Sequence, residues 1–201
     1  MKKIALTSVL AVFAVSAANA ATNYFVGGAF NLSTTDADNT TVLNVAPEFG
    51  WKLNSRLDLG VNANFGYSET YLPTNYGIAG ELYSYGAGMF ARYKVAQVGA
   101  VKLLLKGSVG VDFATLSSDA VAAVDGETLT SLSASIIPMV TYDVSESFTL
   151  YANLNFLGVY AGYDFENKDL GIDDSWNFGA AVDTNNVANT GNFQIGFLYN
   201  F

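Results

Sequence analysis

Hydrophobic residues fall at every second position through eight separate stretches of the chain, with polar or small residues between them. The third stretch, Leu57 to Ser68, is the most regular: Leu57, Leu59, Val61, Ala63, Phe65 and Tyr67 oppose Asp58, Gly60, Asn62, Asn64 and Gly66. A period of two is the mark of a β-strand with one apolar face. The same alternation runs through Thr22 to Ser33, Thr41 to Leu53, Glu81 to Val95, Val101 to Thr115, Leu129 to Tyr142, Phe148 to Tyr163 and Asn192 to Phe201. In the last of these Phe193, Ile195, Phe197, Tyr199 and Phe201 make a largely aromatic face that ends on the carboxyl-terminal residue. Chain ends usually fray in water, so a face this apolar at the terminus needs something apolar to cover it.

The connections alternate in length. Short turns lie near Asn54, Gln97 and Ser145, and long loops near Asp36, Thr74, Asp119 and Lys168. The charged residues Glu48, Lys52, Asp58, Arg92, Lys94, Lys102, Lys106 and Asp112 all fall on the face opposite the apolar one. A strand surface in contact with lipid excludes charge, because a Lys or Arg at mid-bilayer costs about 2 to 4 kcal/mol. Strands cross a bilayer only when their backbone groups pair around a closed cylinder. The pattern predicts an all-β fold, a closed antiparallel transmembrane barrel of eight strands. Its short turns face one side of the membrane and its loops the other.

Two details complicate that reading. Pro47 and Pro138 fall inside strands, where the missing N–H interrupts pairing, so local bulges are expected there. Trp176 to Asp183 forms a ninth alternating stretch. A full ninth crossing would leave the chain ends on opposite sides of the membrane. The expectation is therefore an extension of the last hairpin above the membrane, with Thr184 to Gly191 as a loop or bulge and a ten-stranded barrel as the alternative.

Composition agrees with a membrane barrel. Hydrophobic residues make up 51% of the chain and charged residues 13%, about half the usual charged share of a soluble domain. Residues 1 to 20 read as a secretory signal peptide: Lys2 and Lys3, an apolar run from Ile4 to Val15, and a small-residue cleavage site at Ala18-Asn19-Ala20. That run is too short to span a bilayer as a helix, which takes about 20 residues. Cleavage after Ala20 leaves a barrel domain of residues 21–201 with 7 basic and 18 acidic residues, a net charge of 7 − 18 = −11. Such an acidic chain is a poor partner for nucleic acid. Cysteine is absent, so no disulfide assists the fold of this exported chain.

Aromatic residues gather at two levels, as interfacial girdles do. Tyr24, Trp51, Tyr93, Tyr142, Phe148 and Phe201 fall near the turn end, and Tyr67, Tyr83 and Tyr160 towards the loop end. Basic residues concentrate towards the turns and acidic ones in the loops. Among the inward charges Glu48, Arg92 and Lys106 lie nearest mid-height. They are expected to pair as a lumen charge network, since unpaired charges away from bulk water are expensive.

The final strand resembles the terminal recognition signal of bacterial outer-membrane barrels. Gln194, Gly196, Tyr199 and Phe201 occupy its polar, glycine and two aromatic or apolar positions. The chain as a whole resembles the small outer-membrane β-barrel family of OmpA-like, OmpX-like and opacity-type surface proteins. The resemblance implies insertion into outer-membrane lipid by the barrel assembly machinery and a loop end exposed at the cell surface. It implies no single activity, because the fold hosts adhesins, narrow channels, envelope-stabilising proteins and enzymes.

Enzymes of this architecture depend on histidine to move a proton near neutral pH, and this chain has neither histidine nor cysteine. No enzymatic role and no cofactor are expected. Residues 164–169 carry oxygen ligands suited to Ca²⁺ or Mg²⁺, yet they lack EF-hand spacing and include Lys168. The expected role is structural or surface-interacting, with an extracellular ligand of the acidic loops left open and a narrow porin-like channel as the alternative. A soluble lipocalin-like barrel would instead turn the apolar face inward.

Overall fold

The computed structural model describes residues 23–35, 40–72, 78–117, 125–168, 170–182 and 193–201. They form ten antiparallel strands: β1 (Tyr24–Thr35), β2 (Thr40–Lys52), β3 (Leu57–Leu72), β4 (Ile78–Val98), β5 (Val101–Ser117), β6 (Thr128–Asp143), β7 (Phe148–Leu154), β8 (Leu157–Asp164), β9 (Ser175–Val182) and β10 (Phe193–Asn200). The signal-peptide stretch and the segment 184–191 lie outside the described residues.

Each of β1 to β6 pairs with its successor, β6 pairs with β7, β7 with β10 and β10 with β1, so eight wall positions close on themselves. Following the register from Gly27 through Glu48, Asn62, Gly88 and Gly110 leads to Ser133 on β6. The other way, through Leu198 and Thr149, it leads to Asp143. The stagger around the barrel is therefore 143 − 133 = 10 residues. Ten residues over eight strands incline the strands by about 41° to the axis, within the usual barrel range. At that tilt the ten residues from Tyr142 to Leu132 on β6 climb about 25 Å, the height of an outer-membrane apolar band.

The faces sort as the alternation predicts. Phe30, Val61, Met89, Val109, Leu132, Ile136, Leu150, Ile195 and Phe197 are exposed on the outer wall, and Glu48, Arg92, Thr141, Thr149 and Asn153 are buried in the lumen. A perimeter of this kind is what a bilayer covers. The arrangement excludes the lipocalin-like alternative, which needs the apolar face inside.

Short turns have local causes. Asn54 Oδ1 accepts hydrogen bonds from the backbone N–H groups of Arg56 (2.8 Å) and Leu57 (3.0 Å). Gly99 adopts φ = 59° between β4 and β5, a conformation that suits glycine in a tight hairpin. Ser145 Oγ accepts from the Phe148 N–H at 3.0 Å.

Three expectations need correction. The stretch Phe148 to Tyr163 is not one strand. It breaks at Asn155 and Phe156, and the register on β6 moves from Met139↔Asn153 to Ile136↔Val159. Phase therefore inverts: Leu150 and Ala152 face out on β7, but Leu157, Val159 and Ala161 face out on β8. Tyr160, expected outside near the loops, turns inward opposite Ser135, and its hydroxyl donates to the Asn155 carbonyl.

The prolines act differently from each other. At Pro47 the β1–β2 register is continuous, and β2–β3 merely lacks the pairs at Ala46 and Pro47, with Val45↔Phe65 and Glu48↔Asn62 in one register on either side. That is a gap and not a bulge. Pro138 pairs normally with Leu105, and the irregularity lies in the facing chain, at the Asn155–Phe156 break. The missing N–H points that way, so the neighbour and not the proline strand distorts.

The ninth stretch extends the last hairpin as expected and adds no ninth crossing, but its base starts lower than expected. β9 pairs with β8 from Tyr163↔Trp176 down to Leu157↔Val182, beside Leu154↔Phe193 of β7 and β10. β9 and β10 thus stand in line along β8 and β7. Val159 shares a cross-strand row with Ile136, Gly107 and Ala91, which places the base of this hairpin within the wall. The physical reason is β6, whose upper half extends past the end of β7 and takes β8 as its partner.

Candidate functional site in the barrel lumen

Alternation aims the inward charges. Glu48 sits between Pro47 and Phe49, Arg92 between Ala91 and Tyr93, and Lys106 between Leu105 and Gly107, so each points to the axis while its neighbours face lipid. Cross-strand register then stacks Lys52, Asp58, Arg92 and Lys106 in one inward row across β2 to β5. Glu48, four residues above Lys52 on its own strand, meets that row from the side.

The three charges expected at mid-height come together. Arg92 Nη2 is ion-paired and hydrogen-bonded to Glu48 Oε1, with the two side chains 1% and 2% exposed. Lys106 Nζ lies 3.7 Å from Glu48 Oε2 and is 12% exposed. One carboxylate therefore serves two cations. The surplus positive charge is met by aromatic rings: the Arg92 guanidinium carbon lies 4.5 Å from the Phe90 ring centroid, 5.1 Å from Phe25 and 5.6 Å from Tyr151, and Lys106 Nζ lies 5.0 Å from Phe90. Ring faces attract cations most strongly where water is excluded.

Around this group the lumen is apolar, which alternation alone did not reveal. Phe25, Ala29, Phe90, Leu104, Met139, Tyr151 and Leu198 form a buried cluster. Six of them are the middle residue of an apolar triplet, as in Tyr24-Phe25-Val26, Leu103-Leu104-Leu105 and Phe197-Leu198-Tyr199. Three apolar residues in a row put one on the inward face, and that was the available signal. Together with the ion group they form a collar across the lumen.

Among the described residues a cavity lies on each side of this group. The lower holds about 270 Å³ and is bounded by Lys52, Asp58, Arg92, Lys102, Thr141 and Asp143 among others. Lys102 Nζ pairs with Asp143 Oδ2 at 2.5 Å along its β5–β6 wall. The upper holds about 240 Å³, floored by Glu48, Lys106 and Tyr151 and walled by Asn44, Asn62, Asn64, Asp112, Ser133 and Gln194. Asp112 accepts from Asn64 Nδ2 (2.8 Å) and Ser133 Oγ (2.9 Å). Arg92 and Glu48 line the lower and the upper cavity respectively, so their ion pair stands between the two.

Gln194, Gly196, Tyr199 and Phe201, expected as an assembly signal, lie on β10 and just beyond it. Gln194 and Gly196 face the lumen, where Gln194 Oε1 accepts from Asn153 Nδ2 at 2.9 Å. Tyr199 faces out, and its ring meets Phe201 edge-on with centroids 5.0 Å apart. In the loop offered for a cation, Asn167 Oδ1 accepts from the Leu170 N–H (3.1 Å) and Lys168 Nζ lies 3.3 Å from Glu166 Oε1, while Asp169 lies outside the described residues. Among the described residues no three His, Cys, Asp or Glu side chains converge.

No protein-family model and no curated protein matches the chain. Solved structures do. Neisserial surface protein A is similar at 13% identity, over 89% of this chain and 96% of that one, with a TM-score of 0.50. A major outer membrane protein from Thermus thermophilus aligns at 12% identity over 89% and 98% of the two chains with a TM-score of 0.48. Ail, the attachment invasion locus protein of Yersinia pestis, aligns at 14% over 89% and 97% with a TM-score of 0.41. The fold shared with the first is that of the small outer-membrane β-barrels.

Proposed function

We propose that this integral outer-membrane barrel serves the cell envelope as a structural or surface-interacting protein, without enzymatic activity, and that its lumen is shut. The observation that carries this reading is the Glu48–Arg92–Lys106 group set in a collar of Phe25, Phe90, Leu104, Met139, Tyr151 and Leu198. A solute crossing it would have to separate a buried ion pair, at a cost of several kcal/mol. The missing histidine and cysteine support the non-enzymatic part. Surface interaction is supported by the acidic loop residues, which suit an extracellular ligand with basic groups. Neisserial surface protein A, which shares the fold, is named as a surface protein. In this reading Gln194, Gly196, Tyr199 and Phe201 engage the barrel assembly machinery, and outer-membrane lipids coat the wall.

The second reading, a narrow channel, is favoured by the two cavities of about 240 and 270 Å³ that approach the ion group from either side. Planar-bilayer recording separates the two. A shut lumen gives no steady conductance from the wild-type protein. Steady single-channel steps from wild type would overturn the closed-lumen reading and establish the channel.

A further inference from the structure

A cavity of about 670 Å³ lies on the outside of the barrel, with the volume of a small-molecule site. Its outward lining includes Trp51, Val61, Met89, Val109, Ile136 and Val159. The floor is one cross-strand row, Trp51↔Leu59↔Ala91↔Gly107↔Ile136↔Val159. Ala91 and Gly107, at its centre, are the small members. Above them stand Val61, Met89 and Val109, and Met89 is 62% exposed. A trough results, climbing obliquely across six strands for about 24 Å.

Gly107 is the second observation. Most strand glycines here are glycine because something occupies the place of a side chain: at Gly28 a Cβ would come within 2.7 Å of the Ala46 carbonyl oxygen, and at Gly88 within 2.7 Å of the Val109 carbonyl oxygen. At Gly107 the nearest atom is Ser135 O at 3.9 Å. The protein has room for a side chain and carries none. Glycine inside a strand weakens it and commonly marks a place where another molecule comes close to the backbone.

We propose that this trough binds one acyl chain of a glycerophospholipid from the turn-side leaflet, with the ester region at Trp51. The inference rests on the perimeter being lipid-covered. The trough is continuous with that perimeter, lies between the two aromatic levels and is bordered at its low end by the Trp51 indole, a donor suited to an ester carbonyl. A second copy of the chain fits less well. A two-fold pair sets the same patch against itself, and concave against concave leaves a void. A flexible methylene chain fills a trough of this shape.

The test uses the full barrel inserted into vesicles of palmitoyl-oleoyl phosphatidylethanolamine, extracted into mild detergent and analysed by native mass spectrometry. The expected result is one retained phospholipid per barrel, with retention reduced about tenfold or more in Gly107→Leu and partly in Gly107→Ala. Trp176→Phe leaves Trp51 as the only tryptophan, because the chain has two. In that protein a retained phospholipid with a dibrominated chain quenches Trp51, and Gly107→Leu removes the quenching. Heat-dependent gel mobility certifies each variant as folded. Equal retention in wild type and Gly107→Leu, or none in wild type, overturns the proposal, as does a dimer that Gly107→Leu dissociates. Failure of the protein to enter vesicles at all would instead overturn the lipid-covered perimeter.

Discussion

Tyr151 on β7 and Gly196 on β10 are direct cross-strand partners, both turned to the lumen, and the tyrosine ring lies where a side chain at position 196 would stand. The glycine at this position of the last strand thus has a structural reason in the finished barrel. A Cβ there would overlap the Tyr151 ring on one side and the Gly28 carbonyl oxygen on the other.

Gly196→Ala is therefore expected to destabilise the barrel by about 1 to 3 kcal/mol through overpacking. Truncating the ring does not rescue it, because the Gly28 carbonyl belongs to a paired strand and cannot swing aside as a side chain can. Urea midpoints of Gly196→Ala and of Gly196→Ala with Tyr151→Ala check this. Full recovery in the double variant would show that the ring alone imposes the glycine.

Met89 faces out near mid-height, flanked across the strands by Val61 and Val109. Met89→Arg places a charge in the hydrocarbon and is expected to lower folding stability in lipid by about 2 to 4 kcal/mol. The inward Ser133→Arg, beside Asp112, is expected to cost far less. Folding titrations in phospholipid vesicles distinguish them, and equal costs would remove the distinction between a lipid-facing and a lumen-facing wall.

Most of the wall was legible in the chain because a two-residue period has only two phases, and lipid tolerates charge on neither side but the inner one. Leu57 to Tyr67 could be assigned a face residue by residue. What was not legible follows from the same rule. The period says nothing across an irregularity: the phase of Leu150 carried through Asn155 and Phe156 puts Tyr160 outside, whereas the phase inverts there. How far down the ninth stretch starts depends on the register that seats Val182 opposite Leu157, which alternation does not show. The meeting of Glu48 with Arg92 and Lys106 depends on a ten-residue stagger set by eight pairings together, although counting from the turns gave their common height. The aromatic collar was hidden because Phe25, Leu104 and Leu198 look like surplus apolar residues until the triplets are split between two faces.

The phase inversion predicts a labelling pattern. The chain has no native cysteine, so single cysteines can be introduced without background. Cysteines at Leu150, Ala152, Leu157, Val159 and Ala161 are expected to carry spin labels that collide with oxygen dissolved in the bilayer. Labels at Thr149, Asn153, Gly158 and Tyr160 are expected not to. The odd-numbered lipid-facing set after an even-numbered one is the signature of the break, and a label at Tyr160 with lipid-like oxygen accessibility would mean that β8 keeps the phase of β7.

Glu48 and Arg92 make opposite demands on a single and a double substitution. Glu48→Ala leaves Arg92 buried with its charge uncompensated and Lys106 beside it, so the loss is expected at about 3 to 5 kcal/mol. Nearby rings offset only part of this, since a ring face is a weaker partner for a guanidinium than a carboxylate. Replacing both partners by apolar residues of similar size, as in Glu48→Met with Arg92→Met, removes the buried guanidinium together with the pair and leaves only Lys106, 12% exposed and bordering the upper cavity, without its carboxylate, so it is expected to restore part of the lost stability. The double variant should also keep the lumen shut, because methionine extends the collar of Phe25, Phe90 and Met139, whereas Glu48→Ala vacates volume beside the upper cavity and lets the freed cations hydrate. Urea midpoints and bilayer recordings on the same three proteins read both consequences. If the double variant is less stable than Glu48→Ala, or if it conducts while Glu48→Ala is silent, the ion pair and not the apolar collar is what holds and closes the lumen.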